Sequence, residues 1–466
     1  MSIYIYNSLT RKKEEFIPLK APLVNLYTCG VTVYDDCHIG HARSLYIFGV
    51  VRRYLASRGF KVCFVRNITD IDDKIINRAK ELKTDWKELV GTYINRYHQD
   101  LDSLGIEKAD YEPRATENIP EMIRYISVLI EKQYAYATPS GVYFNVRKFT
   151  GYGKLSGQSI DQMQTGARIE SDETKQDPLD FALWKASKND EPFWESPWGK
   201  GRPGWHIECS VMSQKFLKVD TLDIHAGGRD LIFPHHENET AQAEALTDRP
   251  FAKYWIHHGL LTINAQKMSK SLGNFVTIKD FMQRYGDADL LKLFFLSAHY
   301  AHPIDYTEEK IEEATRARER IMILKRKMAA VVEGFKPKST CQKITELKAV
   351  EDKFLAAMDD DFNTPEALAS VFELVTITNK NIENEAFVAA AKETLRELTD
   401  ILGLQLAVAK DAEEAPGDIE ALISKRDQAR KNKDFAESDR IRKELEARGI
   451  ILEDSKDGKT VWRRKL

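Results

Sequence analysis

Cysteine and long apolar runs are scarce in this sequence. Its 466 residues include five cysteines; a small odd number in a chain of this length excludes a disulfide framework and is typical of a reducing compartment. No stretch approaches the roughly 20 apolar residues of a membrane-spanning helix, and the apolar run at the N-terminus is too short for a secretory signal peptide. We therefore expect a cytoplasmic protein without a membrane partner.

An excess of one charge is also absent. Lys and Arg number 69 against 72 Asp and Glu, which gives a formal net charge of -3. This balance excludes a uniformly basic nucleic-acid-binding surface, so that contact with a polyanion has to be local. The sequence shows neither internal repeats nor low-complexity tracts, and its length predicts two to four domains at roughly 150 residues each.

A strand–turn–helix–strand pattern is present near the N-terminus. The segments "LVNLYTC" (Leu23–Cys29) and "KVCFVRNI" (Lys61–Ile68) have the composition of buried strands, and the segment between them places apolar residues on one helical face. This order of elements predicts one βαβ unit of a parallel sheet, and ligands of such sheets bind at the carboxyl ends of the strands. The sequence therefore predicts a binding edge at Cys29 to His41.

Composition divides the rest of the chain. A segment rich in Gly, Pro and Trp suggests an irregular insertion before the sheet resumes near "TLDIHAGG", and helical patterns follow Glu308. In "NTPEA", Asn363 or Thr364 can cap a helix that has Pro365 in its first turn. The predicted domains are a first half of a Rossmann-type core (1–110), a connective insertion (111–218), the second half of the core (219–307), a helical domain (308–404) and a small C-terminal module with a hairpin (405–466).

The tetrapeptide His38-Ile39-Gly40-His41 lies at the predicted turn from strand to helix. Backbone N–H groups and the helix dipole favour an anion such as phosphate at a helix N-terminus, and imidazoles can donate to charge that develops there. The alternative interpretation is a pair of surface histidines in a loop.

A second short motif follows far downstream. "KMSKS" (Lys267–Ser271) carries two ammonium groups, on Lys267 and Lys270, that can reach pyrophosphate oxygens, although the charges alone would also suit an ordinary basic loop. Together and in this order, the two motifs resemble the signatures of the class I aminoacyl-tRNA synthetases. The resemblance implies catalytic roles for both histidines and both lysines, and ATP binding by these four residues with Gly40.

Residues of the types that bind metals are spread over three other segments. Cys29 lies at the predicted binding edge and Cys209 in "GWHIECS", and "FPHHENE" offers His235, His236, Glu237 and Glu239. Thiolates, imidazoles and carboxylates suit zinc. However, a lone cysteine is usually a small buried hydrophobe, and a His–Glu pair at i, i+4 is usually a helix-surface pair. Without a diagnostic spacing, the residues alone leave both interpretations open.

Several longer motifs are similar to those of the cysteinyl-tRNA synthetase family. They are "YTCGVTVYDDCHIGH", "RNITDIDDKI", "PLDFALWK", "GRPGWHIECS", "DLIFPHHENE", "KMSKSLGNF" and "MDDDFNTPEA". The resemblance implies one zinc ion per chain, which takes the substrate thiolate, on Cys29, Cys209, His235 and Glu239. It also implies a cysteine-binding pocket formed by Cys29, Thr69, Trp205 and His225. Cys37 receives no role, and Ala226 replaces a glycine that is common in the family.

The resemblance implies a fold and an activity. The expected fold class is α/β: a class I Rossmann-type nucleotide-binding catalytic domain with an inserted connective region, then an α-helical bundle that binds tRNA and a small mixed α/β module that binds the anticodon. The expected reaction activates L-cysteine with ATP, accompanied by Mg²⁺, and transfers it to the 3′ end of tRNA(Cys), giving cysteinyl-tRNA, AMP and diphosphate. We expect a monomer.

Two alternatives belong to other functional classes. A cysteine ligase with a small-molecule acceptor would share the catalytic core, but it gives no reason for the helical region and tail. A non-catalytic RNA-binding homologue would not need the intact histidine and lysine motifs. The tail is only mildly basic, with 14 Lys and Arg against 11 Asp and Glu from residue 417 onward. Its specific RNA-binding feature is Trp462 beside Arg463 and Arg464, which could stack on an unpaired base.

Overall fold

A computed structural model describes most of the chain. The described residues are 2–160, 163, 174–269, 272–333, 344–407, 417–432, 434–447, 450–454 and 460–464, with backbone alone at 417–418, 420, 450–451, 453–454 and 460–464. The chain forms two units, Met1–Gln405 and Leu406–Leu466. Within the described ranges, no helix has the length and apolar character that crossing a membrane requires.

The first unit begins with a hairpin and the predicted βαβ unit. Its first elements are β1 (Tyr4–Asn7), β2 (Lys12–Glu15), β3 (Leu23–Thr28), α1 (Ile39–Ser57), β4 (Lys61–Arg66), α2 (Asp73–Leu82), α3 (Trp86–Leu104) and α4 (Ile119–Glu131). Strands β3 and β4 pair in parallel, with Leu26 opposite Phe64. The prediction of two buried strands around a helix is confirmed.

An antiparallel sheet follows within the segment rich in Gly and Pro. The elements are β5 (Ala135–Thr138), β6 (Gly141–Phe144), β7 (Phe181–Ala186), β8 (Gly201–Pro203) and α5 (Trp205–Leu217). The strands pair in the order β5-β6-β7-β8. The expectation of an irregular segment was wrong here, because strands of three to six residues are too short to show an alternating pattern.

The parallel sheet then resumes where the sequence predicts. The next elements are β9 (Leu222–Gly228), α6 (Glu237–Thr247), β10 (Ala252–His258), β11 (Leu261–Ile263), β12 (Gln266–Lys267), α7 (Ile278–Tyr285), α8 (Ala288–Leu296) and β13 (Ile304–Tyr306). The parallel sheet has the order β10-β9-β3-β4, and a small sheet has the order β12-β11-β13. Lys267 therefore lies on an arm of three short strands beside the main sheet.

Helices complete the first unit. They are α9 (Glu308–Val331), α10 (Thr345–Asp359), α11 (Thr364–Lys380) and α12 (Glu385–Leu402). As predicted, Asn363 caps α11: its side chain accepts a hydrogen bond from the Glu366 amide, and a proline lies in the first turn. The Tyr46 hydroxyl of α1 donates to the Leu402 carbonyl at 2.6 Å, so the end of α12 is bound to α1.

The second unit contains two helices and a hairpin. They are α13 (Gly417–Lys431), α14 (Phe435–Ala447), β14 (Ile450–Asp454) and β15 (Thr460–Arg464). Strands β14 and β15 pair antiparallel, with Leu452 opposite Trp462, which confirms the predicted hairpin. Ile419, Ile441 and Leu445 form a small core with Leu452. The side chain of Trp462 lies outside the description, and the domain boundaries at 110, 218 and 307 stay predictions.

Candidate active site

Seven of the candidate site residues lie together at the carboxyl edge of the parallel sheet. They come from the loops after β3 and β4, strand β9, the first half of α5, and the junction of a short helical turn with α6. These residues are Cys29, Thr69, Trp205, Cys209, His225, His235 and Glu239. The parallel topology explains this convergence, because consecutive parallel strands end at the same edge.

Four of these side chains form a cluster that could hold a metal ion. The ligand atoms of Cys29, Cys209, His235 and Glu239 all lie within 4.8 Å of one another. The two sulfurs are 3.7 Å apart, and Cys209 Sγ lies 3.6 Å from His235 Nε2. Glu239 Oε1 lies 3.5 Å from Cys29 Sγ and 2.8 Å from His235 Nε2.

These separations can be compared with those of tetrahedral zinc. Zn–S bonds of about 2.3 Å and Zn–N bonds of about 2.0 Å keep ligand atoms roughly 3.3–3.8 Å apart. Three of the measured separations lie in this range, and the distance from His235 to Glu239 is shorter. Two thiols, an imidazole and a carboxylate also match the ligand types that zinc takes.

The charges in the cluster depend on one another. Burial alone would raise the pKa of Cys209, but the hydrogen bond from Cys29 and the neighbouring His235 lower it. Burial and the Cys209 sulfur raise the pKa of Cys29. Burial alone would raise the pKa of Glu239, but His235 and His225 lower it well below its usual value. Burial alone would lower the pKa of His235, but Glu239 and Cys209 raise it to about 10. A metal ion that bound to this cluster would therefore displace a proton from His235.

A second set of ligand types overlaps the first. Cys29 and Glu239 also lie within 4.8 Å of ligand atoms of His225 and His236. His225 Nε2 is 2.7 Å from Glu239 Oε2, and His236 Nδ1 is 2.8 Å from His257 Nε2. Glu239 therefore presents one carboxylate oxygen to each set.

Neighbouring side chains fix the orientation of His235. Its Nδ1 lies 2.8 Å from His206 Nδ1, which leaves Nε2 directed toward Cys209 and Glu239. The Trp205 ring stacks on His235 with ring centroids 4.0 Å apart. Trp205 is 38% exposed, so it covers the imidazole on the side that faces solvent.

A hydrogen-bond network holds Thr69. Its hydroxyl donates to Glu208 Oε2 at 2.8 Å and accepts from Asn67 Nδ2 at 3.3 Å. Asn67 Oδ1 in turn accepts from the Tyr27 hydroxyl and the Gly30 amide. Four further site residues were not predicted from the sequence: Asn67, His206, Glu208 and His257. For three of them, the available signal was their position next to the candidates in "RNITDID" and "GWHIECS".

The histidine motif forms the first turn of α1. His38 is the N-cap residue: its Nδ1 accepts from the Gly40 and His41 amides at 3.1 and 3.2 Å. His41 Nδ1 accepts from the His38 amide at 3.2 Å. Because both Nδ1 atoms accept, each neutral ring carries its proton on Nε2. Burial, together with His38 and Lys74, lowers the pKa of His41 well below its usual value, so this ring is a neutral donor at pH 7.

The lysine motif lies close to this turn. The Ile39 amide donates to the Val276 carbonyl at 3.1 Å, and the Ile278 amide donates to the Cys37 carbonyl at 2.9 Å. The two motifs are thus joined through the backbone that follows the lysine loop. Lys267 is exposed on β12. Lys270 and Ser271 lie outside the described residues, and Cys37 contributes a backbone carbonyl.

Comparison with known proteins places this geometry in a family. A family model described as "tRNA synthetases class I (C) catalytic domain" matches residues 15–316. A Cysteine--tRNA ligase from Anoxybacillus flavithermus is 49% identical over 470 residues, covering all of both chains. The chain belongs to the cysteine–tRNA ligase family. A second member, from Geobacillus thermodenitrificans, is 50% identical over 471 residues and 99% of each chain.

Further matches concern the C-terminal part and the fold. Models of a DALR domain and of a Cysteinyl-tRNA ligase anticodon binding domain match residues 353–407 and 412–463 of this cysteine–tRNA ligase family member. Methionyl-tRNA synthetase of Mycobacterium tuberculosis, in complex with methionyl-adenylate, has a TM-score of 0.59 at 16% identity, covering 85% of this chain and 94% of that chain. LeuRS of Agrobacterium radiobacter has a TM-score of 0.63 at 11% identity, covering 82% and 84%. The predicted class I α/β fold is confirmed.

Proposed function

We propose that the protein activates L-cysteine with ATP and transfers it to the 3′ end of tRNA(Cys). In the first step a cysteine carboxylate oxygen bonds to the α-phosphorus of ATP, the bond from that phosphorus to the bridging oxygen breaks, and diphosphate leaves. In the second step a terminal ribose hydroxyl of the tRNA loses its proton and bonds to the cysteine carbonyl carbon, the bond from this carbon to the phosphate oxygen breaks, and AMP leaves. The observation that carries the proposal is the cluster of two thiols, an imidazole and a carboxylate, in which Cys29 lies on the loop that leads from β3 to the histidine turn.

The histidine turn would bind the phosphates. His38 and His41 would donate from Nε2, beside the N–H groups at the start of α1, to charge that develops on the α-phosphate. Gly40 admits this arrangement, because a Cβ at this position would lie 2.9 Å from the His38 ring. Lys267 and Lys270 would hold the departing diphosphate, and Mg²⁺ would accompany ATP as it does in most phosphoryl chemistry.

The cysteine pocket would lie between Thr69, Trp205 and His225. Cys29, Cys209, His235 and Glu239 would hold one zinc ion per chain, with His206 and His225 orienting two of these ligands. When bound, zinc would supply a higher affinity for a thiolate than for a hydroxyl. A pocket without a metal ion discriminates between two such similar substrates, cysteine and serine, by only ~10 to 200-fold. Because Cys29 and Cys209 must stay unlinked for this role, we propose a reducing compartment, the cytoplasm.

The acceptor is proposed from the C-terminal part of the chain. A match to an anticodon-binding model at residues 412–463 supports tRNA over a small-molecule acceptor. The helices from α9 onward would contact the same tRNA. We propose that the protein acts as a monomer, since the seven side chains at the sheet edge all come from one chain.

The test is cysteine-dependent exchange of labelled diphosphate into ATP, measured in parallel with serine. We expect exchange with cysteine to exceed exchange with serine by more than the ~200-fold that a plain pocket can supply. Charging of tRNA(Cys), with another tRNA as the control, then tests the acceptor. Exchange without charging would favour the small-molecule alternative, and a purified protein with neither activity would favour a non-catalytic role.

A further inference from the structure

Arg43 is a fully buried cation whose hydrogen bonds within the described part of the chain all go to backbone oxygens. It lies two residues after His41, in the second turn of α1, and its exposure is 0%. Its Nη1 donates to the carbonyls of Gly259 and Leu260 at 2.6 and 3.0 Å. Its Nη2 donates to the carbonyls of Tyr300 and His302 at 3.2 and 2.7 Å. One guanidinium thereby joins two segments that are distant in sequence.

Both segments form the base of the arm that carries Lys267. The first leads from β10 into β11 and β12, and the second leads into β13, which pairs with β11. They also contact each other, because the Gly259 amide donates to the Tyr300 carbonyl and the Ile304 amide donates to the Leu260 carbonyl. A Cβ on Gly259 would lie 2.2 Å from the His302 carbonyl group, so the crossing requires glycine.

The charge of Arg43 is not balanced by a nearby carboxylate among the described residues. Burial alone lowers the pKa of this guanidinium, to about 10, so it remains protonated at pH 7. A buried cation without a counter-ion is costly unless its donors are satisfied. Here four carbonyl dipoles accept from the two Nη atoms, while Nε has no partner among the described residues. In an ordinary core an apolar side chain would fill the same space. The presence of a buried arginine here therefore points to a role in fixing the position of the two segments that it binds.

We propose that Arg43 is a positioning residue for the activation step. It holds the base of the Lys267 arm at a fixed distance from the His38–His41 turn, while the backbone bonds at Cys37–Ile39 and 276–278 fix the other end of the lysine loop. The inference rests on the proposed function, since it concerns groups that would bind the phosphates. Arg43 itself would touch neither ATP nor cysteine.

The test compares Arg43→Met with Arg53→Met as a matched control. Arg53 lies on the same helix and also donates to backbone carbonyls, those of Ile401 and Leu402, but away from the Lys267 arm. A misplacement of about 1 Å can lower a rate by ~100-fold, so we expect a loss of this order in kcat for exchange in Arg43→Met, with KM for cysteine unchanged. Arg53→Met should keep the parent exchange rate.

Two further variants separate positioning from folding. Arg43→Lys keeps the charge but cannot bridge two segments with a planar fork, so its kcat should lie between those of the parent and Arg43→Met. Gly259→Ala leaves the guanidinium in place and forces the two segments apart, so it should lower kcat without changing KM for cysteine. Arg43→Lys carries the test if Arg43→Met does not fold, as judged by thermal melting. Hydrogen exchange at the Gly259 and Ile304 amides should become faster in Arg43→Met.

The outcomes are distinguishable. If the parent shows no cysteine-dependent exchange, the proposed function fails and the role of Arg43 fails with it. If the parent is active and Arg43→Met and Arg53→Met lose melting temperature and kcat equally, Arg43 is a structural residue and the positioning role alone is wrong. A folded Gly259→Ala variant with parent kcat would contradict it as well.

Discussion

Glu239 is fully buried and uses its two oxygens differently. Oε2 lies 2.7 Å from His225, while Oε1 faces His235 and Cys29. A buried carboxylate keeps one orientation only when both oxygens have partners. The contact between His225 and Oε2 therefore leaves Oε1 available to the four-residue cluster. His225, a residue of strand β9, thus supports the cluster although it is not one of the proposed ligands.

Cys209→Ser tests the cluster at the residue scale. The substitution preserves shape but replaces a thiolate with a hydroxyl, a poor zinc ligand. We expect less than one zinc ion per chain by elemental analysis, and a preference for cysteine over serine reduced to the roughly 10 to 200-fold of a plain pocket. Cys63→Ser, a free cysteine on β4, is the control and should keep both properties.

Loss of metal could also destabilise the fold, so thermal melting must accompany these measurements. A folded, zinc-free Cys209→Ser protein that still prefers cysteine as strongly as the parent would contradict the recognition role. The Cys63→Ser control guards against a general effect of removing a thiol.

At the residue scale, the sequence showed which residues are of types that can bind a metal ion, but it could not show that they lie close together in the fold. Cys29 and Glu239 are 210 positions apart, and Cys29 and Cys209 are 180 apart. No spacing rule covers such separations, since the ligands come from different strand ends and helices. Only the family resemblance pointed to a common site, and the structure brings the same four side chains together.

At the scale of elements, Glu112 binds the end of β4 to α3. Its Oε1 accepts from Arg66 Nη2 and the Tyr97 hydroxyl, both at 3.0 Å, and Oε2 lies 3.1 Å from His98 Nε2. Arg66 is 2% exposed and the Glu112 side chain 11%. Three residues after Arg66, the chain reaches Thr69. The ion pair thus fixes the end of β4, and the loop after this strand supplies Thr69 to the candidate cysteine pocket.

Glu112→Gln should destabilise the first unit by about 3 kcal/mol at pH 7, because it leaves the Arg66 cation buried without a counter-charge. Burial alone would raise the pKa of Glu112, but Arg66, Tyr97 and His98 lower it below its usual value. A carboxylate with a lowered pKa stabilises the fold above its unfolded pKa, roughly 4.3, and this contribution is lost as the pH falls through the folded value.

The measurement is the melting temperature of parent and variant between pH 7 and acid. The difference in melting temperature between the parent and Glu112→Gln should be largest at neutral pH. It should become smaller below about pH 4, where the parent loses the negative charge of Glu112 as well. Glu81→Gln removes an exposed pair with Arg78 and should change stability by less than about 1 kcal/mol. A pH-independent difference between Glu112→Gln and the parent would contradict the assignment.

The elements also show where sequence patterns were sufficient. The strands and helix around the histidine motif follow from apolar periodicity, because the sheet is buried and parallel. The antiparallel sheet of the insertion could not be predicted from apolar periodicity, because its strands are too short to show an alternating pattern. Ala226, for which the sequence resemblance led us to expect glycine, lies fully buried in β9. The close approach is at Gly227, where a Cβ would lie 2.7 Å from the His236 ring.

On the scale of the whole molecule, the groups proposed for activation belong to Met1–Gln405. Leu406–Leu466 has a small core of its own and resembles an anticodon-binding domain at residues 412–463. The overall charge of -3 gives no general attraction for RNA, so recognition has to come from local contacts of the kind that such a unit can provide. Activation and tRNA recognition are thus expected to be separable along the chain.

A chain that ends after Gln405 tests this separation. It should keep cysteine-dependent exchange, because the candidate active-site residues remain. It should lower kcat/KM for charging of tRNA(Cys) by about 10- to 100-fold, since a single stacked base is worth about 1–3 kcal/mol. Both activities are measured on the same preparation, with thermal melting to show that the shortened chain is folded. Unchanged charging would exclude tRNA recognition by the second unit, and an equal loss of exchange and charging in a folded chain would show that activation itself depends on it.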